Sequence, residues 1–134
     1  MIQRIQSIYL LITAILGVLS CLFPLAVVGE TPIGYTSWWP YAVLSTIIPL
    51  LAFGSIFLYH KRILQMRLNS LNIILIGFQI SIAAVLIWLT RGEKDAFILL
   101  WPVVLPPIEI ILSLLAIRAI GKDEVLVRTA DRLR

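Results

Sequence analysis

Apolar and polar positions alternate along this chain in long blocks. Four apolar runs, Ile8 to Val28, Tyr41 to Tyr59, Leu68 to Leu89 and Phe97 to Ile117, are separated by short polar links. Glu109 is the one acidic or basic side chain within them. A helix rises ~1.5 Å per residue, so about 20 apolar residues cross the ~30 Å hydrocarbon core of a bilayer, and each run is of that length. Backbone amides and carbonyls find no water there, so each run is expected to be a helix. The links Gly29 to Pro40, His60 to Arg67 and Thr90 to Ala96 are short enough to make sequential neighbours pack as antiparallel hairpins. The pattern predicts an all-α membrane protein, an up-down four-transmembrane-helix bundle filling residues 1–117, followed by a basic tail at 118–134.

The tail reads differently. Gly121 is a plausible helix stop, and Asp123 is placed to cap a new helix through Leu133. Leu126, Ala130 and Leu133 recur at i, i+4 and i+7 beside Val127, and Glu124 precedes Arg128 by one turn, the favourable order for an ion pair. A short amphipathic cytoplasmic helix is expected. Alone in water a helix of roughly 11 residues is marginal, so the membrane surface or a protein would hold it. Arg128, Asp131, Arg132 and Arg134 are the candidates for partner docking.

Composition supports the membrane reading. The chain is 60% hydrophobic and 13% charged, against roughly 25% charged in soluble domains, which leaves no material for a soluble domain. Its formal charge of +4 would suggest nucleic acid if it were evenly spread. Instead nine of the 11 Lys and Arg residues fall before the first run, between the second and third, or after the fourth. Arg91 and Lys94 stand on the other side, beside Glu93 and Asp95. By the positive-inside rule both termini face the cytoplasm, and the basic charge serves topology and anionic lipid with no nucleic-acid partner. Trp38, Trp39, Trp88 and Trp101 lie at the outer ends of runs, Tyr9 and Tyr59 at inner ends, where aromatic rings favour the interface. Arg4 before the first run and Cys21 within it loosely suggest a processed leader, but the run continues apolar through Val28, so an uncleaved helix is expected.

Within lipid, small residues permit close helix approach and polar ones bond across seams. Ala42, Ser45, Pro49 and Ala52 share a face of the second run. On the third, Gly77, Ser81 and Ala84 make one stripe, and Asn72, Gln79 and Ala83 lie nearly opposite. Two contact faces imply neighbours on both sides, supplied by the chain's own bundle or by another subunit, and Asn72 and Gln79 are further candidates for a partner contact.

Glu109 follows Pro106 and Pro107. An ionised acid near the middle of a span costs about 2.5 to 3.5 kcal/mol, so it is expected to be protonated, paired or facing a wet cavity. If the helix restarts at the prolines, Glu109 falls in its first turn, where free amides favour a carboxylate, or it bonds Gln79 at similar depth. The alternative is an ion or proton path beside a broken helix. Glu109 and Gln79 are thus the candidate intramembrane polar site. Catalytic, cofactor and metal residues are not predicted: His60 stands alone in a basic loop, Cys21 is single, and no nucleophile–base pair or phosphate-binding glycine loop is present.

The opening Met1-Ile2-Gln3-Arg4-Ile5-Gln6, the segment Gln65-Met66-Arg67-Leu68-Asn69 with Leu71-Asn72, and the ending Lys122-Asp123-Glu124, Leu126-Val127-Arg128 and Asp131-Arg132-Leu133-Arg134 resemble an uncharacterised family. It is that of the small four-helix inner-membrane proteins of Bacteroidota, known as a domain of unknown function. The resemblance spans the chain and implies a four-pass fold in a Gram-negative inner membrane, without an activity. It departs from the family's pattern at Gly121, where a basic residue is usual, and at Glu109, where an acid is not typical. The expected function is that of a non-catalytic accessory subunit which binds and stabilises a larger inner-membrane assembly, such as one for secretion or protein translocation, with a homo-oligomer as a further arrangement. The alternative is a small transporter, channel subunit or proton-coupled component centred on Glu109.

Overall fold

Proline decides where the apolar runs become helix. In the computed structural model, which describes residues 2–28, 30–33, 38–91 and 97–133, the helices are α1 (Ile2–Leu22), α2 (Trp39–Ile56), α3 (Arg62–Arg91) and α4 (Leu105–Arg132). All four are long and apolar enough to cross a membrane. The first run was expected to remain helical to Val28, but α1 ends at Leu22. Pro24 offers no amide and disfavours helical backbone at Phe23, so the chain turns extended. Residues Ala26–Val28 form β1, which pairs antiparallel with β2 (Thr31–Ile33).

The fourth run departs further from expectation. Its outer end is a strand, β3 (Phe97–Leu99), pairing antiparallel with β1 from Ala26↔Leu99 to Val28↔Phe97. The sheet order is β2-β1-β3. A 3-10 turn over Trp101–Val104 then leads into α4, which carries Pro106 and Pro107 in its first turn, where a missing amide costs no hydrogen bond. Strands this short, made of residues that also suit a span, carry no periodicity to separate them from helix.

At its other end α4 corrects the reading of the tail. The helix runs unbroken through Gly121 to Arg132, so no separate helix begins at Asp123. Asp123 instead pairs with Arg62 Nε at 3.0 Å, and Arg62 also reaches Glu124 at 3.6 Å. Arg128 Nε donates to Glu124 at 3.0 Å, the expected turn-to-turn pair. Arg134, Gly34 and the acids and lysine of 93–95 lie outside the described residues.

α1 and α3 each pack between α2 and α4. Gln6 Nε2 donates to the Ala119 carbonyl at one end of the α1/α4 seam, and the Leu100 amide donates to the Leu25 carbonyl at the other. Gly17 packs closely against the Pro49 ring of α2, where an added Cβ would lie 3.0 Å from Pro49 Cβ. Pro49 cannot donate to the carbonyl of Ser45, one turn back. Cys21 Sγ fills that place, donating to Ser45 O at 3.0 Å. Gln65 Nε2 donates at 2.9 Å to the Ser55 carbonyl near the end of α2, which also accepts from the Leu58 amide.

Candidate functional site

The interior is as polar as the exterior is greasy. Leu50, Phe57, Ile74, Phe78, Leu89 and Ile111 are among the many large apolar side chains exposed to the surroundings. The core holds Leu10, Ile48, Ile76 and Ile120 together with Gln6, Thr13, Ser20, Ser45, Gln65, Asn69, Asn72, Gln79, Glu109 and Ser113. On α3 the polar residues Gln65, Asn69, Asn72 and Gln79 follow helical spacing with Ile76 between them, which puts them on one stripe. On α4 Glu109 and Ser113 stand one turn apart on the stripe that also carries Ala116 and Ile120.

The Arg62–Asp123 pair marks one shared level of α3 and α4. Counting helical turns inward from it brings Asn69 to the level of Ala116, Asn72 to Ser113, and Ile76 to Glu109. The polar column therefore runs from Gln6 and Gln65, near the end of the bundle that carries the chain termini, toward Glu109. Glu109 lies nine residues from Arg118, about 13 Å along the helix and so deep in the span.

Beyond Glu109, Gln79 Nε2 donates to Ser45 Oγ at 3.0 Å. The Tyr41 hydroxyl lies beside Ser20, Ser45 and Gln79 yet makes no well-formed hydrogen bond. Leu25, Ala26 of β1 and Leu105 at the start of α4 are buried at this end. Cys21 of α1 is within electrostatic reach of Glu109.

Both readings of Glu109 that gave it a protein partner are corrected by this geometry. It sits past the first turn of α4, which holds no acid, and neither carboxylate oxygen accepts a hydrogen bond. Gln79 spends its amide on Ser45 instead, because α2 faces it at that level. The stripe Asn72 to Gln79, a candidate for contact with another subunit, is buried within the chain's own interior. The face that meets nothing is the other one: Ser81 and Ala84 are exposed, and Gly77 has open space where a Cβ would be. Of the docking candidates in the tail, Arg128, Asp131 and Arg132 are exposed, near exposed Val125, Leu126 and Leu133.

Gln65, Asn69 and Ser113 were not singled out from the sequence as parts of this site, although the spacing of Gln65, Asn69 and Asn72 within an apolar helix is a signal that could have found them. Among the described residues no three His, Cys, Asp or Glu side chains come together as a metal site would require.

Four helices long and apolar enough to cross a membrane, packed around a polar core, are consistent with a multi-pass membrane protein. The match of residues 2–133 to the Domain of unknown function (DUF4293) family is nearly end to end, and the chain belongs to that family. No curated protein and no solved structure matches it.

Proposed function

We propose that the chain crosses the bacterial inner membrane four times as an up-down bundle with both termini cytoplasmic, and that it is a non-catalytic accessory subunit of a larger membrane assembly. Assemblies for secretion or protein translocation are the class this reading favours. One observation carries it: α4 runs as a single helix to Arg132 and leaves Val125, Leu126 and Leu133 exposed beside Arg128, Asp131 and Arg132. Because Arg62 ties Asp123 and Glu124 to the bundle, this extension keeps a fixed direction instead of lying down as a separate surface helix. The lipid-facing stripe Gly77, Ser81 and Ala84 offers a second place where a partner helix can come close.

Purification in gentle detergent followed by mass spectrometry tests this reading. A stoichiometric foreign subunit that is lost when Arg128, Asp131 and Arg132 are changed together to Ala, with the bundle still folded, supports it. A homo-oligomer without foreign subunits counts against it.

A second reading, a small transporter or proton-coupled component, draws support from the buried Glu109 carboxyl with its unpartnered oxygens. Glu109→Gln separates the two: it leaves partner binding intact under the first and abolishes proton-dependent flux under the second.

A further inference from the structure

Seven buried side-chain atoms on the facing stripes of α3 and α4 share one property. Both polar atoms of Asn69, both of Asn72, both carboxylate oxygens of Glu109 and the Ser113 hydroxyl have no hydrogen-bond partner in the protein, and all four residues are at most 1% exposed. Gln65 Oε1, nearer the terminus-bearing end, is in the same state. Inside a bilayer each such group is costly, because neither lipid nor apolar side chains can bond it. Buried water commonly meets this need, making about three hydrogen bonds to groups that would otherwise be orphaned. The groups here are suited to it. Amide oxygens and carboxylate oxygens accept, amide nitrogens donate, and the Ser113 hydroxyl does both.

Their order gives the column a direction. From the terminus-bearing end the levels carry Gln65, then Asn69, then Asn72 with Ser113, then Glu109. On the far side of Glu109 Gln79 is bonded to Ser45 and Cys21 to the Ser45 carbonyl, while the Ser20 and Tyr41 hydroxyls are buried without a partner. Leu25, Ala26 and Leu105 are buried at that end.

We propose that a file of hydrogen-bonded water occupies the α3/α4 seam and gives the Glu109 carboxyl proton exchange with the aqueous face carrying the chain termini. The carboxyl O–H bond breaks as a file water takes the proton, and forms again when the proton returns, so no further reactant is needed. Among the described residues, the titratable groups near Glu109 on other helices are Cys21 of α1 and, one layer farther out, Tyr41 of α2. The membrane-spanning part of α3 contributes none. The inference deepens the proton-coupled reading and rests on it only for its consequence, since such access can exist without transport.

Infrared spectroscopy of the full chain in lipid nanodiscs tests it. The carboxyl C=O band, assigned by its loss in Glu109→Gln, is followed after transfer from H2O to D2O. Wild-type protein should shift its band promptly. Asn69→Leu with Asn72→Leu, close to isosteric but unable to bond water, should slow the shift by about tenfold or more, the factor that losing a buried hydrogen-bonding group carries. Ser113→Ala, a smaller change, should slow it in the same sense and serves if the double variant does not assemble. Gln79→Leu, beyond Glu109, should leave the rate as it is.

Rates unaltered by the α3 and Ser113 substitutions overturn the proposal, as does slowing by Gln79→Leu alone or the lack of a carboxyl band at every pH at which the protein stays folded. Proton flux into proteoliposomes is measured in parallel. Its absence beside a prompt, Asn-dependent shift ends the transport reading and upholds the water file, while flux that ignores these substitutions does the reverse.

Discussion

Replacing Gly17 by Ala tests the close packing of α1 on α2. An added Cβ would stand 3.0 Å from Pro49 Cβ, 3.2 Å from Cδ and 3.3 Å from Cγ. Carbon atoms prefer about 3.5 to 4.0 Å, so one surface must retreat by roughly 0.5 Å or more. The pyrrolidine ring is bonded to its backbone at two points and cannot swing aside, so α1 and α2 must separate. A gap of 0.5 to 1 Å forfeits roughly a quarter to a half of each affected dispersion contact, and overpacking of this kind costs about 1 to 3 kcal/mol. Against this stands a gain of about 1 kcal/mol from replacing Gly inside a helix. Gly77→Ala on α3 carries the same gain with nothing within 4 Å of the new Cβ, so it isolates the packing cost. Reversible unfolding in mixed detergent micelles should therefore find Gly17→Ala less stable than Gly77→Ala by about 1 to 3 kcal/mol. Equal stability of the two variants would refute the close α1/α2 approach.

Other substitutions probe separate parts of the structure. Cys21→Ala leaves the Ser45 carbonyl opposite Pro49 without a donor and should cost about 1 kcal/mol, whereas Cys21→Ser, which keeps a donor, should cost less; the same unfolding assay decides. Gly121→Ala should stabilise the chain by about 1 kcal/mol, because α4 is continuous there and the new Cβ meets only Met66 Sδ at 4.0 Å. A loss of stability would mean that the helix breaks at Gly121. Arg62→Ala removes both contacts to Asp123 and Glu124, and about 1 kcal/mol of local stability with them, so amide exchange over residues 120–132 should accelerate, and added salt should reproduce part of the effect in the wild type.

The apolar runs made the four helices legible because lipid leaves the backbone no other way to cross. Their ends were less so. Hydropathy measures preference for lipid and is blind to backbone geometry, so Leu25 to Val28 and Phe97 to Leu100 read as span although Pro24 and Pro102 turn them away from α-helix. Gly121 was over-read: glycine ends helices readily, but ion pairs from Arg62 hold the following turn in place, and tertiary contact outweighs a local preference of about 1 kcal/mol. Glu109 was visible at once as a carboxyl out of place. Its surroundings were not, since the relative level of α3 and α4 is marked by a contact between residues far apart in sequence, Arg62 and Asp123.

The pairing of β1 on one side with β2 and on the other with β3 has a consequence for biogenesis. During synthesis β2 follows β1 within a few residues, but β3 is made only after all of α2 and α3. Until then one edge of β1 keeps its amides and carbonyls unmatched, and the half-built interior shows its asparagines to lipid. A chain that stops before α4 thus bears a raw strand edge, open to pairing with another chain, and polar groups without their cover. Closing the sheet is the last stitch, and it marks the molecule as complete.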